Sequence, residues 1–221
     1  MTHVIHIDST IGDGPGELSA SWLRSQLPAD GRPVELRIHS EGGTVFEAFA
    51  MHDLLTGYPG PVRAVVSSMA LSAASLLLTA CSEVEISGNG YVMLHDPYLD
   101  DPELSGSQRA LLASLADRMV TLYAEKTRKP ESTIRRMMAA ETFLDAAESV
   151  RLGLADRVTD RLGKRLSAAP AVVARLKKAK AAGHTATARW HAAVLACGSV
   201  SEANRRNPGL RLAMLAEVNQ R

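Results

Sequence analysis

The sequence predicts an α/β fold in which short apolar strands alternate with helices. Runs of strand length recur through the first 95 residues, and segments with helical apolar spacing separate them. Turn-forming clusters at Tyr58–Gly60 and Ser87–Gly90 mark breaks between elements. Hydrophobic residues make up 46% and charged residues 22%, which is typical of a globular domain. Strict alternation of this kind favours parallel βαβ units with right-handed crossovers.

Apolar spacing assigns the elements in chain order. The third strand is expected to break at Ser67-Ser68, and an Ala- and Leu-rich helix follows it. The predicted strands are Val4–Asp8, Val34–His39, Val62–Val66, Val84–Ile86 and Tyr91–Leu94. The predicted helices are Gly16–Leu27, Val45–Thr56, Leu71–Cys81, Ser107–Thr127 and Ser132–Ala140.

A serine and a histidine form the most informative pair. Ser72 falls in the first turn of the Ala- and Leu-rich helix, where backbone N–H groups lack partners and the helix dipole is positive. This environment suits a nucleophile beside which an oxyanion develops. His95 follows the strand Tyr91–Leu94, where it could act as a base. A capping serine and a structural histidine are the alternative interpretation.

Two glycines lie between the second strand and its helix. Gly42 and Gly43 allow the backbone to turn sharply and to approach a bound group closely. Their N–H groups can line an anion or peptide site at the start of the helix. An ordinary turn between a strand and a helix is the alternative.

The segment Ser107–Thr127 is predicted to form a long amphipathic helix after an exposed polar loop at 99–106. Such an apolar face is covered either by its own domain or by another subunit. One side of the helix carries Leu111, Leu112, Leu115, Met119, Leu122 and Tyr123.

Charge divides the chain into two parts, although the net charge is only +1. Residues 161–221 carry 12 Lys and Arg against 2 Asp and Glu, whereas residues 1–160 carry 13 against 22. We therefore predict a main domain over 1–160, which carries the candidate residues Ser72 and His95, and a basic, mainly helical C-terminal extension over 161–221. The extension is either a flexible tail or a docking segment for an acidic scaffold or a neighbouring subunit. It lacks the aromatic interleaving of a nucleic-acid-binding segment, so no nucleic-acid partner is expected.

No membrane span, metal site or disulfide is expected. No apolar run reaches the roughly 18 residues of a membrane span, and the N-terminus has no signal-peptide pattern. Cys81 and Cys197 lie far apart without metal-ligand spacing, so both are expected to be reduced and buried. A cytoplasmic location is the resulting expectation.

Four sequence blocks follow one another in a characteristic order. They are His39-Ser40-Glu41-Gly42-Gly43, Ser68-Met69-Ala70-Leu71-Ser72, Met93-Leu94-His95-Asp96-Pro97 and the segment from Phe143 to Asp156. Together they resemble the Clp protease proteolytic subunit family (ClpP), within the crotonase-like superfamily, over about Val4 to Val158. The resemblance implies a spiral fold of ββα units. It also implies that the 107–127 helix projects as a handle and joins subunits into a ring-like homo-oligomer.

The resemblance further implies a catalytic triad. Ser72 would be the nucleophile and His95 the base, and Glu141 stands where the family has the Asp that orients the histidine. Asp96 and Asp145 are the alternatives for this third position.

The same resemblance implies how a substrate is held. The N–H groups of Gly43 and Ala73 would form the oxyanion hole, and an extended peptide would bind beside Gly42 and Gly43. The chain departs from the family pattern at Glu41, where the family has Pro, and at Ser68, where it has Gly. No metal or organic cofactor is implied.

Finer features resemble the ClpP-related head maturation proteases of tailed phages, notably Ser72-Ala-Ala-Ser75 and Glu141-Thr142-Phe143. This implies a serine endopeptidase that cleaves a scaffold or capsid precursor during procapsid maturation, in the host cytoplasm or the procapsid. Two alternatives stay open: a crotonase-type acyl-CoA enzyme and a catalytically inactive ClpP-like assembly protein. A Ser/Lys peptidase is disfavoured because the matching blocks contain no Lys.

Overall fold

A computed structural model describes residues 1–99 and 103–159, which form a seven-stranded mixed sheet with helices. The predicted α/β class is confirmed, whereas the extension predicted at 161–221 and Cys197 lie outside the described residues. The strands are β1 (His3–Ile7), β2 (Val34–Ser40), β3 (Val62–Leu71), β4 (Glu83–Ser87), β5 (Tyr91–Leu94), β6 (Thr142–Asp145) and β7 (Arg157–Thr159). The α-helices are α1 (Ala20–Gln26), α2 (Val45–Thr56), α3 (Ala73–Leu76), α4 (Gly106–Thr127), α5 (Glu131–Ala139) and α6 (Ala146–Leu152), and a 3₁₀ turn spans Leu77–Ala80.

Five parallel strands form the main sheet in the order β1-β2-β3-β4-β7. Because side chains alternate along a strand, every second residue faces the core. The inward-facing residues of the first four strands are apolar and buried: Ile5, Ile7, Leu36, Ile38, Ala64, Val66, Val84 and Ile86.

Strand β3 is longer than the sequence predicts, and its length positions the candidate site. Its first residues pair with β2 and β4, and Met69–Leu71 pair with β5. The predicted break at Ser67-Ser68 is therefore wrong, because β5 supplies a new hydrogen-bonding partner and the strand continues to Leu71. The two serines mark the point where β3 passes from the main sheet to a smaller layer.

That smaller layer is completed by β6, which pairs with β5 in antiparallel orientation. Sequence reasoning did not predict β6, because four residues are too few for a period-two pattern to stand out. A capping box between Asp145 and Glu148 begins α6 directly after β6. Asp145 is thus a helix cap.

Two helices begin later than predicted. The helix expected from Gly16 begins at Ala20, because the Ser19 hydroxyl accepts a hydrogen bond from the Trp22 N–H at 3.1 Å. The helix expected from Leu71 begins at Ala73 and continues as the 3₁₀ turn after Leu76. Ser72 accordingly lies at the N-cap and not in the first turn.

Helix α4 closely matches its predicted bounds, and its apolar face is divided along its length. The second half is covered by its own domain, since Leu115, Met119, Val120 and Tyr123 are all buried. Towards the N-terminal end, Leu111 is 43% exposed. Apolar surface of α4 is therefore exposed near its N-terminal end, whereas the apolar residues of the second half pack on the domain itself.

Three features of the described residues bear on expectations drawn from the sequence. Cys81 is a buried free thiol, and burial raises the pKa of that thiol to about 12. No helix among residues 1–99 and 103–159 is long and apolar enough to cross a membrane. The same residues contain no group of three or more side chains arranged to hold a metal ion.

Candidate active site

Ser72 and His95 meet at the ends of two neighbouring strands. Ser72 Oγ lies 2.6 Å from His95 Nε2, a short hydrogen-bond distance. The pair is brought together because β3 and β5 run parallel, and the Ser72 N–H extends their pairing by donating to the Met93 carbonyl at 2.9 Å. Ser72 is half-buried, whereas His95 is only 9% exposed, so the imidazole is largely shielded from solvent.

The backbone of Ser72 adopts an unusual conformation, with φ 52° and ψ −128°. Among the described non-glycine residues, only Ser72, Arg128 and Glu141 have positive φ, and Arg128 is the C-cap of α4. Such conformations cost roughly 1–3 kcal/mol each and cluster at functional sites. The strain at Ser72 occurs where β3 turns directly into α3, which is the position expected of an exposed nucleophile.

Gly42 packs directly against the Ser72 turn. A Cβ atom on Gly42 would lie 2.5 Å from the Leu71 carbonyl oxygen and 2.8 Å from the Ala73 nitrogen, and the residue has φ +98°. Only glycine fits this approach. The glycine loop and the nucleophile turn therefore form one continuous surface.

Gly43 is held from its other side by Ile11. The Ile11 N–H donates to the Gly42 carbonyl, and the Thr44 N–H donates to the Ile11 carbonyl, both at 2.8 Å. In this parallel bridge the N–H of Gly43 itself is directed away from Ile11. The loop after β1 thus fixes the orientation of the Gly43 amide.

Two backbone N–H groups in this region have no acceptor among the described residues. Ala73 is the first residue of α3, so its N–H has no acceptor within the helix. Neither this N–H nor that of Gly43 donates a hydrogen bond to another residue in the described part of the chain. They lie in the two segments that meet at Ser72.

The glycine loop has further support that sequence reasoning missed. Ser40 Oγ donates to the Ser9 carbonyl at 2.7 Å and accepts from the Gly42 N–H at 3.1 Å. The Thr10 hydroxyl donates to the Glu41 carboxylate. The Ser40–Ser9 and Thr10–Glu41 contacts each join positions 31 residues apart. No local pattern could have predicted them.

Glu141 stands next to the end of β6, across from the end of β5. The register ends with Leu94 paired to Thr142, so His95 and Glu141 are each the next residue beyond that last pair. Glu141 has φ 43°, and its N–H donates to the Met138 carbonyl at 2.9 Å.

The two alternative carboxylates are less well situated. Asp145 pairs with Tyr91 at the far end of the β5–β6 ladder, three residues from Thr142 and thus roughly 10 Å along the strand. Its carboxylate accepts from the Glu148 N–H at 2.8 Å as a helix cap. Asp96 is exposed.

An aromatic residue beside His95 was not singled out from the sequence. The ring centroids of Tyr98 and His95 are 5.7 Å apart with planes inclined at 45°, and Tyr98 is 73% exposed. The exposed Tyr98 ring therefore lies beside the shielded imidazole of His95. The only sign of this contact in the sequence is that Tyr98 follows His95 by three positions.

Comparison with known proteins identifies the family. Residues 16–162 match the sequence model of the Clp protease family. This chain belongs to the Clp protease family. The resemblance drawn from the four sequence blocks is thereby confirmed, and the mixed α/β architecture is consistent with the ClpP fold.

The relatives are proteolytic subunits of ATP-dependent Clp proteases. The subunit of Bdellovibrio bacteriovorus is 29% identical over 149 residues, which cover 64% of this chain and 70% of the relative. The subunit of Deinococcus radiodurans is 28% identical over 145 residues, covering 63% and 70%. Subunit 1 of Chlamydia pneumoniae is 27% identical over 141 residues, covering 60% and 73%. The Clp protease family is a family of serine peptidases, and membership in it supports a protease function for this chain.

Proposed function

We propose that this protein is a serine endopeptidase with Ser72 as nucleophile and His95 as general base. The observation that carries the proposal is the 2.6 Å separation of Ser72 Oγ and His95 Nε2. Neutral imidazole accepts the hydroxyl proton while Oγ attacks the scissile carbonyl carbon, which gives a tetrahedral intermediate. The imidazolium returns the proton to the leaving amine, and a water activated by His95 then hydrolyses the acyl-enzyme.

The N–H groups of Gly43 and Ala73 are the proposed oxyanion hole. Both are backbone donors in segments that meet at the nucleophile, and their geometry is fixed before substrate arrives. Preorganised donors of this kind stabilise the charge that develops on the carbonyl oxygen in the transition state.

Glu141 is the proposed orienting carboxylate. The β5–β6 register supports this role, because Glu141 and His95 each lie one residue beyond the last pair of the ladder, Leu94 and Thr142. A carboxylate that accepts from Nδ1–H would fix the tautomer in which Nε2 faces Ser72, and would stabilise the imidazolium. Glutamate is one methylene longer than the family's aspartate, and the backbone at Glu141 has the positive φ noted above.

The proposed substrate is an extended segment of a protein chain. Gly43 is exposed and directly follows Gly42, which packs against the Ser72 turn, so an extended peptide bound there would form main-chain hydrogen bonds with this loop. The reaction as written requires no metal or organic cofactor.

The proposed biological setting is the maturation of a phage procapsid, with scaffold or capsid precursor as substrate. The local sequences around Ser72 and Glu141 support this assignment, since they resemble phage head maturation proteases. The site would then act in the host cytoplasm or the procapsid. We also propose that residues 1–160 are the peptidase domain, because every proposed site residue precedes 160, and that 161–221 are an extension to it.

A ring-like homo-oligomer is the proposed assembly. Helix α4 supports it, because Leu111 leaves an apolar group exposed on the half of the helix that its own domain does not cover. In such an assembly the exposed half of α4 would contact a neighbouring subunit.

The direct test is labelling with a fluorophosphonate probe, followed by digestion and mass spectrometry. We expect covalent modification of the wild-type chain at Ser72 and none of the Ser72→Ala variant. Hydrolysis of a fluorogenic peptide should be lost in the same variant. A wild-type chain that is folded but neither labels nor hydrolyses peptides would favour the inactive assembly protein, and turnover of an enoyl-CoA thioester would favour the crotonase-type enzyme.

A further inference from the structure

A buried serine one helical turn after the nucleophile joins both strands of the site. Ser75 Oγ lies 2.6 Å from the Ser72 carbonyl oxygen and 3.2 Å from the Met93 carbonyl oxygen. The Ser75 N–H also donates to the Ser72 carbonyl, at 3.0 Å. Met93 is the residue whose carbonyl receives the Ser72 N–H. Ser75 thus contacts the end of β3 and the strand that leads to His95.

The same hydroxyl is held by a tyrosine from a distant part of the chain. Tyr123 Oη, on α4, lies 2.7 Å from Ser75 Oγ, and both residues are 0% exposed. A serine hydroxyl carries one proton, and both neighbouring carbonyls can only accept. The Ser75 proton therefore points to the carbonyls, and the Tyr123 O–H donates to Ser75 Oγ.

We propose that Ser75 and Tyr123 are positioning residues that hold the Ser72 turn in its strained conformation, a role that rests on the proposed peptidase function. The conformation at Ser72 is costly for a residue with a side chain, so surrounding contacts must stabilise it. Ser75 stabilises the turn through hydrogen bonds from its hydroxyl and its N–H to the Ser72 carbonyl. Tyr123 fixes the direction of the Ser75 hydroxyl. Neither residue touches the reacting atoms.

A double-mutant cycle separates this role from ordinary structural support. Ser75→Ala should lower kcat by about tenfold and Tyr123→Phe by about threefold, with KM nearly unchanged, because substrate binding is not altered. The apparent pKa values of the pH–rate profile should stay the same, because His95 is not moved. Ser149→Ala is the matched control: its buried hydroxyl has no hydrogen-bond partner in the described part of the chain, and full activity is expected.

The double variant gives the sharpest result. In Ser75→Ala alone, the buried Tyr123 hydroxyl loses its partner and the melting temperature falls. Adding Tyr123→Phe removes that unsatisfied group, so stability should recover, whereas kcat should stay at the level of Ser75→Ala. If kcat recovers together with stability, or if either single variant keeps full kcat, the positioning role is wrong. If Ser75→Ala does not fold, the test is the kcat of Tyr123→Phe, measured well below its melting temperature. A threefold loss supports the positioning role, and full kcat contradicts it.

Failure of this inference differs from failure of the proposed function. A wild-type chain that does not react with a fluorophosphonate overturns the proposed function and the positioning role with it. A wild-type chain that reacts, together with Ser75 and Tyr123 variants that react equally fast, overturns the positioning role alone.

Discussion

Leu94 and Thr142 lie directly opposite each other across β5 and β6, and this pairing aligns the ends of two strands that are 48 positions apart in the chain. His95 follows one of them and Glu141 precedes the other. The serine reaches the same point by a different route, because β3 pairs with the opposite edge of β5. A small three-stranded layer at one end of the main sheet therefore organises the candidate triad.

The first prediction concerns the third triad position. Glu141→Gln should lower kcat by about 100-fold or more if this carboxylate orients His95, since an amide can stabilise the wrong imidazole tautomer and cannot neutralise the imidazolium. Steady-state hydrolysis of a fluorogenic peptide measures the effect. Asp145→Asn is the control: asparagine also caps helices well, so both activity and stability should be retained. Full activity in Glu141→Gln would assign the orienting role to another group.

The second prediction concerns the nucleophile and the base as a unit. Ser72→Ala and His95→Ala should each lower kcat by several orders of magnitude, on the order of 10⁶, and the double variant should be little worse than either. The cause is that an unactivated hydroxyl and a base without a nucleophile are both ineffective. Multiplicative losses in the double variant, measured in the same peptide assay, would mean that the two residues act independently.

The third prediction tests the contact between the glycine loop and the nucleophile turn. Gly42→Ala should abolish most of the activity, because its Cβ would lie 2.8 Å from the Ala73 nitrogen and the backbone has φ +98°. Gly106→Ala at the start of α4 meets no atom within 4 Å and should be neutral or slightly stabilising. Activity and thermal melting of the two variants would be compared. Equal behaviour would show that the close approach has no functional consequence.

Sequence reasoning identified the family and the fold class because these depend on local patterns: apolar strands, turns and short motifs. The same motifs marked Ser72 and His95 as candidates, whereas their contact depends on the pairing of β3 with β5. Sequence reasoning missed what tertiary pairing decides. β3 continues through Ser67-Ser68 because β5 lies beside it, and no local property of two serines contains that information. The short strand β6 and the Ser75–Tyr123 hydrogen bond were missed for the same reason, since each depends on a partner far along the chain.

The fourth prediction concerns assembly through α4. The sequence alone would suggest Leu115 and Met119 as interface positions, but both are buried in their own domain, at 9% and 2% exposure. Asp at either position should unfold the chain. Leu111→Asp, at a side chain that is 43% exposed, should instead yield a folded species of lower mass by light scattering. A wild-type chain that is monomeric at micromolar concentration would contradict the proposed assembly.

The fifth prediction concerns a carboxylate on the polar face of the sheet. The Glu35 side chain is only 6% exposed. Burial alone would raise its pKa, but the hydrogen bond from Arg37 Nε at 2.8 Å and the charge of Arg63 outweigh burial and lower that pKa below its ordinary value of 4.5. Since the folded state binds the proton less readily than the unfolded chain, this contribution to stability is present above pH 4.5 and is lost as pH falls through the lowered pKa.

Glu35→Gln should therefore reduce the free energy of unfolding at pH 7 and should weaken its decline in acid. Urea denaturation at a series of pH values between about 3 and 7 measures both effects. Asp117→Asn is the control, because the ion pair of Asp117 with Arg135 is exposed and such pairs contribute little. If the Gln variant keeps the full wild-type pH dependence, the acid sensitivity of the fold arises from other carboxylates, and the Glu35 ion pairs do not govern it.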